Sequence, residues 1–185
     1  MKKMIFRACL CMAILCTGVA VTSCDENSPW LDFIKNLIGT NTTYTYQGNA
    51  SYQCLAEPNA QGAYTKTVAN FTAQNSLVQL STTSANETQA TLILPAASTS
   101  GVSISSITLS NLAMTSTTSA TTLAVGTDSY IDGTITANGQ TLTANSLYIT
   151  SASATSGVIT LEMTIYFGDN AQAVNYKYSG QVVQQ

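Results

Sequence analysis

The sequence predicts an all-β, antiparallel fold for most of this chain, and three observations carry the prediction. From Tyr44 onward the apolar residues recur with period two, no helical period of useful length follows residue 40, and turn signals return at the spacing of an antiparallel meander. Strands that alternate in this way offer one face to a core and one to water. A doubly wound parallel sheet, whose strands are apolar on both faces, is thereby excluded.

The chain opens Met1-Lys2-Lys3, adds Arg7, and runs uncharged from Ala8 to Val21, which is a basic n-region followed by an apolar h-region. The run is too short for a hydrocarbon core that needs about 20 helical residues, so it reads as a removable signal rather than a permanent span. At its end, Val21-Thr22-Ser23-Cys24 places an aliphatic residue and two small ones before a cysteine. This resembles the lipobox of bacterial lipoprotein precursors. The resemblance implies a signal peptide over 1–23, cleavage before Cys24, and acyl chains on the thiol and amine of Cys24. Two or more chains make a stable anchor, where one gives only reversible binding. Asp25-Glu26, directly after the cysteine, resembles the acidic signal that sends some lipoproteins to the outer face of the outer membrane. It reads equally as two solvated acids in a tether. The expected address is the bacterial outer membrane.

Residues 24–42 form the lipidated tether and one short helix. Ser28 suits the cap, Pro29 the first helical position, and Trp30, Phe33, Ile34, Leu37 and Ile38 recur at helical spacing before Gly39. Such a helix either flanks the main domain or lies in the membrane interface. Its polar face lacks the Lys and Arg of interfacial helices, which favours the first.

The β domain spans 43–185. Tyr44, Tyr46, Gly48, Ala50, Tyr52 and Cys54 share one face of a long first strand, with Gly48 a bend. Strands follow at Ser76–Ser81, Thr88–Leu94 and Val102–Met114, the last broken near Ser105-Ser106. Asn138-Gly139 suits the positive φ of a type I′ turn, joining Tyr130–Ala137 to Thr141–Ile149. Val158–Phe167 alternates cleanly, and Gly168-Asp169-Asn170 turns into a last strand carrying Val174, Tyr176, Tyr178, Gly180 and Val182.

Tyr44-Thr-Tyr-Gln-Gly48, Thr91-Leu-Ile-Leu-Pro95 with Ile104–Leu112, and Ile131-Asp-Gly133 with Leu161–Tyr166 and Tyr176–Gly180 resemble small secreted lipoproteins with a calycin-like β-barrel domain. The likeness covers most of 43–183 and rests on strand patterns. It implies an up-and-down antiparallel barrel of about eight strands, with an interior that is filled or holds one small ligand. It brings no catalytic residue. The Thr/Ser/Ala-rich stretch Thr115–Thr122 departs from the pattern and reads as a long loop.

Composition removes whole classes of function. Only 8% of the chain is charged, against about 25% in typical domains. Lys2, Lys3 and Arg7 leave with the signal, so nine acids face Lys35, Lys66 and Lys177 alone. Three cations cannot neutralise a run of phosphates, which excludes nucleic acid as a partner, nor can they hold anionic lipid without an anchor. With no histidine, Ser-His-Asp and Cys-His catalysis and His-ligated zinc are excluded. No cofactor fingerprint is present. Asp128 and Asp132 would stand about 13 Å apart on a straight strand, too far for glycosidase geometry, and their spacing matches no calcium loop. The expectation is no enzyme, no metal and no cofactor.

Of five cysteines, Cys9, Cys11 and Cys16 lie in the signal and Cys24 takes lipid. Cys54 is left without a disulfide partner and reads as a small buried hydrophobe. Tyr44, Tyr46, Tyr52, Tyr176 and Tyr178 remain as candidate ligand-lining residues, because the first and last strands of a barrel close side by side and tyrosine rings stack on flat ligands. Tyrosine is equally a preferred strand residue that packs in a core. Two functions follow: a binding module holding a small apolar or glycan-like ligand, or a structural, adhesin-like interaction subunit with a packed interior.

Overall fold

In a computed structural model, residues 41–83 and 86–184 are described. The expected signal peptide, Cys24 and the short helix lie outside them. Twelve strands follow in chain order: β1 (Asn41–Pro58), β2 (Tyr64–Thr83), β3 (Asn86–Leu94), β4 (Ala97–Thr99), β5 (Val102–Ile104), β6 (Ile107–Ser116), β7 (Thr121–Ala124), β8 (Tyr130–Asp132), β9 (Thr134–Ala137), β10 (Gln140–Thr155), β11 (Val158–Phe167) and β12 (Gln172–Gln184). All pairings are antiparallel, and eight strands close a ring in the order β1-β2-β3-β6-β7-β10-β11-β12 and back to β1. The start of β10 leaves the ring to pair with β9, which continues through β5 to β4.

Alternation explains the core. On β11 the side chains of Ile159, Leu161, Met163, Ile165 and Phe167 are all buried, while Glu162 and Thr164 on the opposite face are half-buried. Leu92, Leu94, Leu109 and Leu112 enter the same cluster from β3 and β6. Each such side chain contributes about 1.5–3 kcal/mol on burial.

The turns follow the expected chemistry where glycine or asparagine must adopt positive φ. Asn138 and Gly139 take φ 53° and 77° between β9 and β10, as a type I′ turn requires. Asp169 and Asn170 take φ 53° and 67° ahead of β12.

Three expectations need correction. Thr115–Thr122 is no long loop: β6 runs to Ser116 and β7 starts at Thr121. The Thr117 side chain accepts from the Ala120 amide at 3.1 Å and donates to the Ala120 carbonyl at 3.0 Å, closing a tight turn. The strand expected at Ser76–Ser81 is the second half of β2, which begins at Tyr64. Its first half is hard to read because extra residues at the register shifts opposite Gly48–Ala50 and Cys54–Leu55 break the period. Tyr130–Ala137 is two strands, since the chain leaves β6 after Asp132 and joins β10 from Thr134, with Gly133 pressed against Ile107 at the crossing.

Candidate functional site

β1 and β12 pair along most of their length, with Tyr46 opposite Val182, Ala50 opposite Tyr178 and Tyr52 opposite Tyr176. The expected juxtaposition of the two terminal strands therefore holds. Four of the five candidate tyrosines, Tyr46, Tyr52, Tyr176 and Tyr178, are buried on the interior face, and Tyr44 packs half-buried against them.

Three of them, Tyr52, Tyr176 and Tyr178, meet with Phe71 as a packed aromatic cluster. The Tyr52 ring stacks on Phe71 at 4.8 Å and meets Tyr176 edge-on at 5.2 Å, and Tyr176 lies parallel to Tyr178 at 6.4 Å. Tyr178 is within hydrogen-bond reach of two carbonyls, Tyr46 at 2.8 Å and Ser76 at 3.1 Å. The hydroxyls of Tyr52 and Tyr176 are buried with no hydrogen-bond partner among the described residues. Burial pushes Tyr52 and Tyr178 up to about 12 and drives Tyr176 higher still. These three hydroxyls are thus neutral at physiological pH. Cys54, on the same face, is buried and its thiol is raised to about 11 by burial, which removes the thiolate that nucleophilic chemistry needs.

Asp132 is exposed on β8 and Asp128 is exposed before it. Among the described residues no three His, Cys, Asp or Glu side chains come together as metal ligands.

A second feature lies on the outer face of the same strands. A depression of about 500 Å³ crosses β2, β1, β12, β11 and β10, and Gln53, Asn70, Thr150, Thr164, Asn175 and Lys177 are among the residues that line it. Its floor is strand backbone at Tyr52, Met163 and Tyr176, whose side chains turn inward to the core.

Register builds this trough. One cross-strand row reads Asn70, Gln53, Asn175, Thr164, Tyr148 over five neighbouring strands. Within it Thr164 donates to Asn175 Oδ1 at 2.9 Å, and Asn175 Nδ2 donates to Gln53 Oε1 at 3.0 Å. The next row reads Ser51, Lys177, Glu162, Ser151, with Lys177 Nζ 2.8 Å from Glu162 Oε1. A register shift between Ile149 and Ser151 sets Thr150 and Ser151 both outward and exposed, as bulges commonly re-aim side chains. Tyr148, 62% exposed, stands opposite Thr164 at one end of the row.

The alternation of β1 and β11 sets Ser51, Gln53, Glu162 and Thr164 on the face opposite the core residues, while Asn70 and Thr150 fall outside the strands expected from the sequence. Only the register of five strands shows that these residues form one surface. No known protein family matches the chain, and no curated protein or solved structure is similar to it.

Proposed function

We propose that this chain is a lipid-anchored outer-membrane lipoprotein whose eight-stranded ring is a calycin-like barrel, and that the barrel is a non-catalytic binding module working from its outer face. The anchor rests on the signal-like residues 1–23 and on Cys24 within Val21-Thr22-Ser23-Cys24. The observation that carries the binding role is the trough over β2, β1, β12, β11 and β10: its volume of about 500 Å³ falls within the ~300–1,000 Å³ of small-molecule sites. Of the tyrosines expected to line an interior pocket, Tyr52, Tyr176 and Tyr178 pack against one another.

A photoreactive residue at Ser51 tests the face in intact cells. An adduct should form there and not at Tyr130, an exposed position on β8. Adducts at Tyr130 alone overturn the reading. For the anchor, Cys24→Ala should abolish metabolic labelling with palmitate, and labelling that survives removes it.

A second reading keeps a small ligand inside the ring among Tyr44, Tyr46, Tyr52, Tyr176 and Tyr178. It is favoured by the two unpartnered hydroxyls, since a buried polar group without a partner costs about 1–3 kcal/mol. Mass spectrometry of the purified protein decides it, through the presence of one small molecule per chain.

A further inference from the structure

We infer that the trough is a recognition site for an uncharged oligosaccharide, read by the row Gln53–Asn175–Thr164 and flanked by the ring of Tyr148; this rests on the outer-face reading above.

Charge narrows the class of ligand. Beside Lys177 and Glu162, the trough is lined by side-chain amides and hydroxyls: Ser51, Gln53, Asn70, Thr150, Thr164 and Asn175. The single cation and single anion lie 2.8 Å apart and neutralise each other. A phosphate or carboxylate ligand would meet one lysine already paired, and a cationic ligand one glutamate already paired. Neither finds a net field to bind it. An extended peptide adding to a sheet needs a free edge, whereas each of the five strands beneath the trough is paired on both sides within the ring.

The remaining class is a neutral molecule rich in groups that both donate and accept. The amide row is built for it. Asn175 spends one Nδ2 hydrogen on Gln53 and accepts from Thr164, so its second Nδ2 hydrogen and both hydrogens of Gln53 Nε2 are the donors this row can offer a ligand. Side-chain amides carry two donors and an acceptor, so a pair of adjacent sugar hydroxyls can bridge one amide as donor and acceptor together. The existing bonds hold the amides in place, so little side-chain entropy is lost when the ligand arrives.

Tyr148 adds the apolar contact. It projects 62% exposed beside Thr164, with no core to pack on, and Tyr166 follows Thr164 by two residues on the same face, stacked on Tyr64 at 6.5 Å. An exposed aromatic ring next to amides and hydroxyls matches a pyranose, which presents an axial C–H face and equatorial hydroxyls. The ring buries that face while the amides take the hydroxyls.

The test uses the full mature lipoprotein in detergent on an array of neutral oligosaccharides, acidic oligosaccharides and peptides, with affinities then measured by calorimetry on the best neutral oligosaccharide. Wild type should bind neutral members. Tyr148→Ala and Asn175→Ala should each weaken binding at least tenfold, with unchanged circular dichroism, while Tyr130→Ala, on β8, binds as wild type. Tyr148 is largely exposed, so its replacement tests the site without testing the fold. Binding only to acidic oligosaccharides or peptides, lost in Tyr148→Ala, overturns the neutral-sugar assignment and leaves the outer-face reading standing. Neutral oligosaccharides bound equally by wild type and both trough variants overturn the two together.

Discussion

The Tyr178 hydroxyl donates to the Tyr46 carbonyl at 2.8 Å, joining residues 132 positions apart and tying the last strand to the first inside the ring. The same oxygen lies 3.1 Å from the Ser76 carbonyl on β2. Tyr178→Phe removes the one donor that these two carbonyls share, so urea unfolding should show a loss of about 1–3 kcal/mol. Tyr52→Phe and Tyr176→Phe delete hydroxyls that have no partner among the described residues and should cost nothing or add stability. If either costs as much as Tyr178→Phe, those hydroxyls bind a partner inside the ring.

A pair of glycines makes that arrangement fit. Gly48 and Gly180 stand opposite each other on β1 and β12. A Cβ at Gly180 would run into the Tyr178 hydroxyl, and one at Gly48 into the backbone of Ser179 and Gly180. Tyr178 can shift its ring, but backbone yields less readily. Gly48→Ala should therefore destabilise more than Gly180→Ala, about 3 kcal/mol against about 1–2 by thermal or urea unfolding. The reverse order would mean that β1 and β12 separate easily at this point.

Much of this fold is legible in the residues alone, and the limits have physical causes. Tyr44–Cys54 and Val158–Phe167 can be read because each has a clean interior face, and Asn138-Gly139 because positive φ demands such residues. Tyr64–Asn75 cannot, because a register shift near Val68 and a positive φ at Asn75 put its apolar side chains out of phase. The tyrosine cluster follows from pairing the end strands, but its packing depends on ring geometry that no spacing reveals. The trough is hidden for a different reason. Gln53, Asn175 and Thr164 come from three strands, and only the register between those strands makes neighbours of them.

The buried cysteine gives a simple check of packing. Cys54 is 1% exposed, so iodoacetamide at neutral pH should leave the folded protein unmodified and label it on unfolding. Cys54→Ala removes a small volume and should cost on the order of 1 kcal/mol. Rapid alkylation of the native protein would show β1 opening at this point.

Alkaline pH should weaken the fold through the same interior groups. The Cys54 thiol is raised from 9.0 to about 11, and the Tyr52 and Tyr178 hydroxyls from 10.0 to about 12, in each case first by burial. The folded state keeps protons that the unfolded chain releases, so their stabilising effect is complete below about pH 9 and is lost as pH rises toward about 12. The urea midpoint should hold steady through neutral pH and fall across that window, with Cys54→Ala delaying the onset. A midpoint unchanged up to about pH 12 would contradict the burial of these groups.

Closure of the ring is itself open to test by deleting β12. Truncation after Gly168 removes the partner of both β1 and β11. It exposes the edge of an 18-residue strand on one side and of a 10-residue strand on the other, together with the apolar interior they cover. Long edges of this kind pair with other chains unless charge or proline blocks them. β1 offers little of either, with Glu57 and Pro58 only at its far end, and 8% of the whole chain is charged. The truncated protein should therefore aggregate, seen as void-volume elution and strong light scattering, where the full chain with its signal removed stays dispersed in detergent. A truncated chain that remained monomeric with an intact β spectrum would mean that β10, β11 and β1–β3 hold their shape without closure, and the ring would then be a consequence of the fold rather than a condition for it.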